Sequence, residues 1–201
     1  MLDRHLRPWI DPPLNRMGAR LAGVGLRADW VTGAGLALGL AAALAIAAGQ
    51  LLPGLALILA CRLADGLDGA VARAGQVSDY GGYLDIVADF VFYAAIPLAF
   101  VWLDPAANGL AGAFLLSAFY INGATFLGFA VLAEKRQMRT NVRGVKSLYH
   151  SAGLLEGTET IVFFVLICLL PGWFAPLAAG FGVLCLYTAA ARMVLAARLF
   201  R

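Results

Sequence analysis

The chain has 201 residues, of which 62% are hydrophobic and 13% charged, with a formal net charge of +3. A soluble globular domain carries roughly 25% charged residues and a disordered chain is polar throughout, so neither class fits. With no dense basic face a nucleic-acid partner is excluded, and the surplus apolar surface is assigned to a lipid bilayer.

The N-terminal arm, 1–29, comes first. Leu2, Leu6, Ile10, Leu14 and Met17 recur at near-helical spacing among Arg4, Arg7, Arg16 and Arg20. This predicts an amphipathic surface helix or arm, not a signal peptide. Pro8, Pro12 and Pro13 are expected to break or kink it. Six apolar runs follow, at roughly 30–49, 53–74, 81–103, 108–134, 148–170 and 173–199. Each approaches the ~20 residues that cross a bilayer. Gly49 to Pro53, Gly75 to Asp79, Asp104-Pro105, a basic stretch and Pro171-Gly172 separate them. The expected fold is an all-α integral membrane protein of six transmembrane helices in one domain, 1–201. The arm 1–29 lies at the interface and 30–199 forms the bundle. Gly33, Gly35 and Gly39 give the first run a small-residue face, including a GxxxG at 35–39, that suits close helix packing.

Lys and Arg set the orientation. The turns 49–53, 104–108 and 170–176 contain none, whereas the arm, the 134–150 connection and the tail are basic. Both termini are therefore expected in the cytoplasm. Cys61, Cys168 and Cys185 stand far apart in apolar stretches and read as buried packing residues. Trp9, Trp30, Trp102 and Trp173 fall near span boundaries, where interfacial anchors belong.

Several charges lie inside the apolar runs. The second run holds Arg62, Asp65, Asp68 and Arg73, the third Asp85 and Asp89, the fifth Glu156 and Glu159, and the sixth Arg192. A central Asp costs about 2.5–3.5 kcal/mol on insertion scales, so a cluster of four marks a shared polar site. At a rise of about 1.5 Å per residue all four aspartates sit at similar depth from the 75–81 turn. Asp65 and Asp68 share one helix face, and Asp85 and Asp89 share another. Four carboxylates at one depth need cations between them. Oxygen ligands without sulfur or imidazole select Mg²⁺ or Mn²⁺, with Ca²⁺ as the alternative. Such an ion completes its shell with water and substrate phosphates, and Gly66, Gly69 and Ala72 leave room for a diphosphate. Salt bridges such as Arg62 to Asp65 account for part of the pattern but not for four acids.

Residues 65–89 read DGLDGAVARAGQVSDYGGYLDIVAD. This resembles the signature of the CDP-alcohol phosphotransferases, D-x2-D-G-x2-A-R-x8-G-x3-D-x3-D, at Asp65, Asp68, Gly69, Ala72, Arg73, Gly81, Asp85 and Asp89. The Arg73–Gly81 spacing is one residue short. The segment Ala28–Thr32 is similar to the family's pattern before the first helix, with Ala28 in place of proline. The resemblance implies a homodimer of six-helix subunits in the bacterial inner membrane, with a cytoplasmic active site. It implies metal binding by Asp65, Asp68 and Asp85, with Asp89 nearby as a fourth metal candidate, and two Mg²⁺ or Mn²⁺ ions. Asp89 is the implied general base. Asp65, Gly69, Ala72, Arg73, Gly81 and Thr32 are the implied nucleotide contacts.

The expected reaction transfers a phosphatidyl group from CDP-diacylglycerol to the hydroxyl of a small polar alcohol, and CMP leaves. No Cys, His or Ser presents itself as a covalent nucleophile, so direct displacement is expected. Arg143, Lys146, Glu156, Glu159 and Arg192 are candidate acceptor contacts, suited to a phosphorylated polyol. Ile86, beside the third aspartate, matches neither the proline of glycerophosphate-type members nor the serine of serine-type members. Serine and phosphatidylglycerol stay open as acceptors. A prenyl-diphosphate transferase and a small cation transporter are the rival classes.

Overall fold

The structure, a computed structural model, describes residues 3–136, 155 and 157–200. The helices are α1 (Asp3–Gly23), α2 (Ala28–Ala47), α3 (Leu51–Ala74), α4 (Asp79–Leu103), α5 (Pro105–Lys135), α6 (Gly157–Leu169) and α7 (Phe174–Phe200), with a short 3₁₀ turn, Pro171–Trp173, before α7. No strand occurs among the described residues. The all-α expectation holds. The expected breaks coincide with helix ends, and Pro105 opens α5 at a position that needs no N–H.

Among the described residues, four stretches are long and apolar enough to cross a membrane: α2, α4, α5 and Pro171–Phe200. α3 has the length, at 24 residues, but carries Arg62, Asp65, Asp68 and Arg73. Of the fifth run, α6 covers 13 residues, and the stretch before it lies outside the described residues.

The contacts divide the chain into two compact units, one spanning 4–106 and one built from 107 onward. In the first, α2 packs on both α3 and α4. A Cβ on Gly35 would lie 3.2 Å from the Ala64 Cβ, and one on Gly39 would lie 2.8 Å from a Phe92 ring carbon and 3.2 Å from the Cys61 sulfur. The GxxxG face is thus the contact surface of α2, and the small residues permit the approach.

α1 corrects the expected break in the arm. Pro8, Pro12 and Pro13 lie inside a helix that runs unbroken from Asp3 to Gly23. Each proline removes one backbone donor, but the helix is also held from outside by packing on α3. Leu14 is buried and reaches the space over Gly66, Gly18 meets Ala70, and Ala22 stands near Gly75. Positions 14, 18 and 22 form one stripe of α1, laid along small residues of α3.

In the second unit α5 and α7 approach closely where a Cβ on Gly182 would lie 2.6 Å from the Phe114 ring. Phe163 of α6 stacks on Phe181 of α7 at 4.4 Å between centroids, and Phe119 meets Phe181 edge-on. All three cysteines are free and buried, as expected of packing residues. The four tryptophans are exposed, as interfacial anchors would be.

Candidate active site

Four residues, Gly75 to Ser78, connect α3 and α4. Ser78 caps α4, its hydroxyl oxygen accepting the Gly81 N–H at 2.9 Å. The short connection keeps the acids of the two helices at one level. Carboxylate oxygens of Asp65, Asp68 and Asp85 all lie within 4.8 Å of one another. Asp68 is the buried member. The Thr32 hydroxyl of α2 donates to Asp68 Oδ2 at 2.7 Å and fixes its orientation.

The triad suits a divalent ion by its dimensions and its donors. Two oxygens on opposite sides of Mg²⁺ are held about 4.2 Å apart, and on opposite sides of Ca²⁺ about 5 Å. The spacing within the triad, at most 4.8 Å, meets either ion with shifts below an ångström. Oxygen donors alone favour the hard cations.

Asp89 stands outside this triad. Its Oδ1 accepts Nη1 of Arg62 at 2.8 Å, and the same nitrogen lies 3.5 Å from Asp65 Oδ2. The Arg62–Asp65 pair expected from i,i+3 spacing is present but is the longer of the two. The guanidinium also lies 4.3 Å above the centroid of the buried Phe92 ring.

Of the expected nucleotide contacts, Gly69 and Arg73 fall together. A Cβ on Gly69 would sit 3.1 Å from Arg73 Nη1, so the missing side chain is the space the guanidinium uses. Arg73 Nη2 donates to Asn15 Oδ1 of α1 at 2.9 Å. Ala72 precedes Arg73 in the last turns of α3. Gly81 lies beside the N-terminus of α2, where a Cβ would come within 3.2 Å of Asp29 Oδ1. The shortened Arg73–Gly81 spacing is thus taken up by a capped turn.

Among the acceptor candidates, Arg143, Lys146 and Glu156 lie outside the described residues. Glu159 is in the first turn of α6. Arg192 is buried, and its Nη1 donates to the Asn122 carbonyl at 3.0 Å, to Asn122 Oδ1 at 3.0 Å and to Thr125 Oγ1 at 2.9 Å. No carboxylate pairs with it among the described residues.

Asn15, Asn122, Thr125 and the Arg62–Asp89 pair escaped sequence reasoning. Asn15 sits in a proline-rich arm with nothing to tie it to Arg73, 58 residues away. Arg62 had a visible partner on its own helix, which hid the one on the next.

The family model for CDP-alcohol phosphatidyltransferase matches residues 26–197. The chain is 48% identical over 193 residues to the inner membrane protein YnjF of Escherichia coli (strain K12), covering 96% of this chain and 94% of that one. It is 39% identical over 93 residues to an archaetidylinositol phosphate synthase of Pyrococcus horikoshii, covering 45% of this chain and 49% of that one. Its fold is similar to the crystal structure of Mycobacterium tuberculosis phosphatidylinositol phosphate synthase (PgsA1) in complex with manganese and citrate. That match has a TM-score of 0.64 and 22% identity, and covers 90% of this chain and 87% of that one. The chain belongs to the CDP-alcohol phosphatidyltransferase family. It is a membrane transferase of the EC 2.7.8 type. That membership removes the prenyl-diphosphate transferase and cation-transporter alternatives.

Proposed function

We propose that the chain is a divalent-metal-dependent phospholipid synthase that transfers a phosphatidyl group from CDP-diacylglycerol to a polar alcohol and releases CMP. The observation that carries this reading is the convergence of the Asp65, Asp68 and Asp85 carboxylates from two helices. The ligand-holding residues would be these three, with Thr32 orienting Asp68. Bound Mg²⁺ or Mn²⁺, two ions in this reading, supplies charge neutralisation at the diphosphate. Gly69, Ala72, Arg73 and Gly81 bind the nucleotide portion. A second solved form of the same mycobacterial synthase, with CDP-DAG bound, has a TM-score of 0.58 to this chain, which is consistent with the donor assignment.

The chemistry balances without a covalent enzyme intermediate. The acceptor oxygen forms a bond to the lipid-side phosphorus as the bond from that phosphorus to the CMP oxygen breaks. The hydroxyl proton passes to Asp89, and the electron pair of the broken bond leaves with CMP. For the acceptor we favour a phosphorylated polyol over serine or phosphatidylglycerol. Arg192 is a buried cation without a carboxylate partner among the described residues, which suits an anionic group. Arg143, Lys146, Glu156 and Glu159 complete the acceptor candidates. We place the protein as a homodimer of six-span subunits in the bacterial inner membrane, with α3 and α6 completing the spans. Both termini and the active site face the cytoplasm.

The test is CMP release by purified protein. CDP-diacylglycerol and Mg²⁺ or Mn²⁺ are supplied with glycerol 3-phosphate, inositol phosphate, inositol, serine or phosphatidylglycerol, one at a time. Release with one phosphorylated polyol, lost in Asp89→Asn, is the expected result. Release with serine alone would overturn the acceptor assignment, and metal-independent release would overturn the mechanism.

A further inference from the structure

We infer that Arg62 is a positioning residue that holds Asp89 ready to take the acceptor's proton. This rests on the reading of Asp89 as the base and adds a residue that the family signature does not contain.

Arg62 sits on α3, one turn before Asp65, and half-buried. Its Nη1 donates to Asp89 Oδ1 at 2.8 Å. That engages one oxygen of the carboxylate. Oδ2 has no partner among the described residues, so it is the oxygen open to a hydroxyl. The guanidinium is itself fixed on three sides. Its plane lies over Phe92, its Nη2 contacts the Cys61 sulfur at 3.4 Å, and its Nη1 also faces Asp65 Oδ2 at 3.5 Å. Phe92 has no freedom to move away, since it is fully buried and closes against Gly39 of α2. The line α2–Phe92–Arg62–Asp89 is a rigid brace.

The arrangement also separates two roles. Asp89 is one helical turn from Asp85, near enough for a divalent ion at the triad to recruit it as a fourth ligand. An ion pair at 2.8 Å opposes that recruitment. The geometry holds even though Arg62 Nε is buried with no hydrogen-bond partner among the described residues. The side chain thus gives up one donor contact and keeps the stack and the ion pair. A lysine keeps the charge but has neither the planar fork nor the stacking surface.

The experiment compares Arg62→Gln, Arg62→Lys, Asp89→Asn and the double variant Arg62→Gln/Asp89→Asn in the purified membrane protein. Turnover, KM for CDP-diacylglycerol and the metal-dependent rise in Tm on CMP addition are measured for each. Arg62→Gln is expected to lower kcat by about 100-fold, the scale of a misplaced reacting group. KM and the CMP-induced rise in Tm stay as in the parent. Arg62→Lys recovers about tenfold of that loss. In the Asp89→Asn background Arg62→Gln costs nothing further, because the carboxylate it positions is gone. Loss of the CMP-induced rise in Arg62→Gln, or an additional loss in the double variant, would make Arg62 a structural residue and overturn the inference. If Arg62→Gln does not fold, Arg62→Lys decides: parent-level kcat overturns the inference, and a lowered kcat with unchanged KM supports it. Full turnover in Asp89→Asn alone would remove the base reading itself, and that single variant tells the two failures apart.

Discussion

The two units treat buried charge in opposite ways. In the first, Arg62 stands among carboxylates and answers two of them, at 2.8 and 3.5 Å. The acids Asp68 and Asp85 receive no cation among the described residues, and a hydroxyl is what orients Asp68. In the second, Arg192 is held by a carbonyl, an amide oxygen and a hydroxyl, with no acid partner among the described residues. A charge buried without its counter-charge is costly, and in the proposed function a bound ligand supplies the missing sign in each unit. The first is short of positive charge and suits a cation. The second is short of negative charge and suits an anion. The contrast turns the electrostatics of each unit into a statement about its ligand.

The contrast can be broken at several points. Asp68→Asn removes the buried member of the triad. Outer-shell partners alone cost about 10–100-fold in metal affinity or activity, so turnover at limiting Mn²⁺ should fall by more than about 100-fold. A milder loss would show that the triad is not the metal site. Arg192→Gln truncates the unpaired cation. Its kcat/KM for a phosphorylated acceptor should fall by about 30-fold, the equivalent of about 2 kcal/mol for a buried charge pair. The KM for CDP-diacylglycerol should not change, and a change there would place Arg192 with the donor. Thr32→Val removes the hydroxyl that donates to Asp68 and should raise the Mn²⁺ concentration for half-maximal rate about tenfold. The smallest effect belongs to Thr188, one turn before Arg192. Its buried hydroxyl has no partner among the described residues. Thr188→Val should leave Tm unchanged or raise it, with a change within about 1 kcal/mol, because an unpaired hydroxyl contributes little. A clear loss would reveal a hydrogen bond to the bound acceptor or to water.

What was legible in the sequence follows from range. The triad could be anticipated because Asp65, Asp68 and Asp85 lie within 21 positions of one another, on two helices joined by a short turn. Helical periodicity and a short connection then fix their depth and their faces. The packing face of α2 was readable from Gly35 and Gly39 for the same local reason, but Gly33, expected on that face, looks into open space, because small size alone does not fix which way a residue points. Contacts between distant segments were not readable. Thr32 meets Asp68 across 36 positions, and Arg192 meets Asn122 across 70. Periodicity reports which face of a helix is buried but not which helix it faces. The prolines of α1 misled for a related reason. Local propensity argues for a break there, and packing along α3 is a tertiary effect that propensity does not contain.

The crossing of α1 over α3 bears on how this chain can vary by descent. A Cβ at Gly18 would come within 2.6 Å of the Ala70 carbonyl carbon and its Cβ, and 2.8 Å of the carbonyl oxygen. Two of those three atoms are backbone, so no substitution at position 70 can make room. A lineage that gains a side chain at 18 must shift a whole helix, and with it Asn15 and the arginine it holds. Trp9, on the same helix, is exposed and meets no such packing limit. The arm is thereby divided into a tightly packed seam and an open outer face, and a single residue with no functional group sets the boundary.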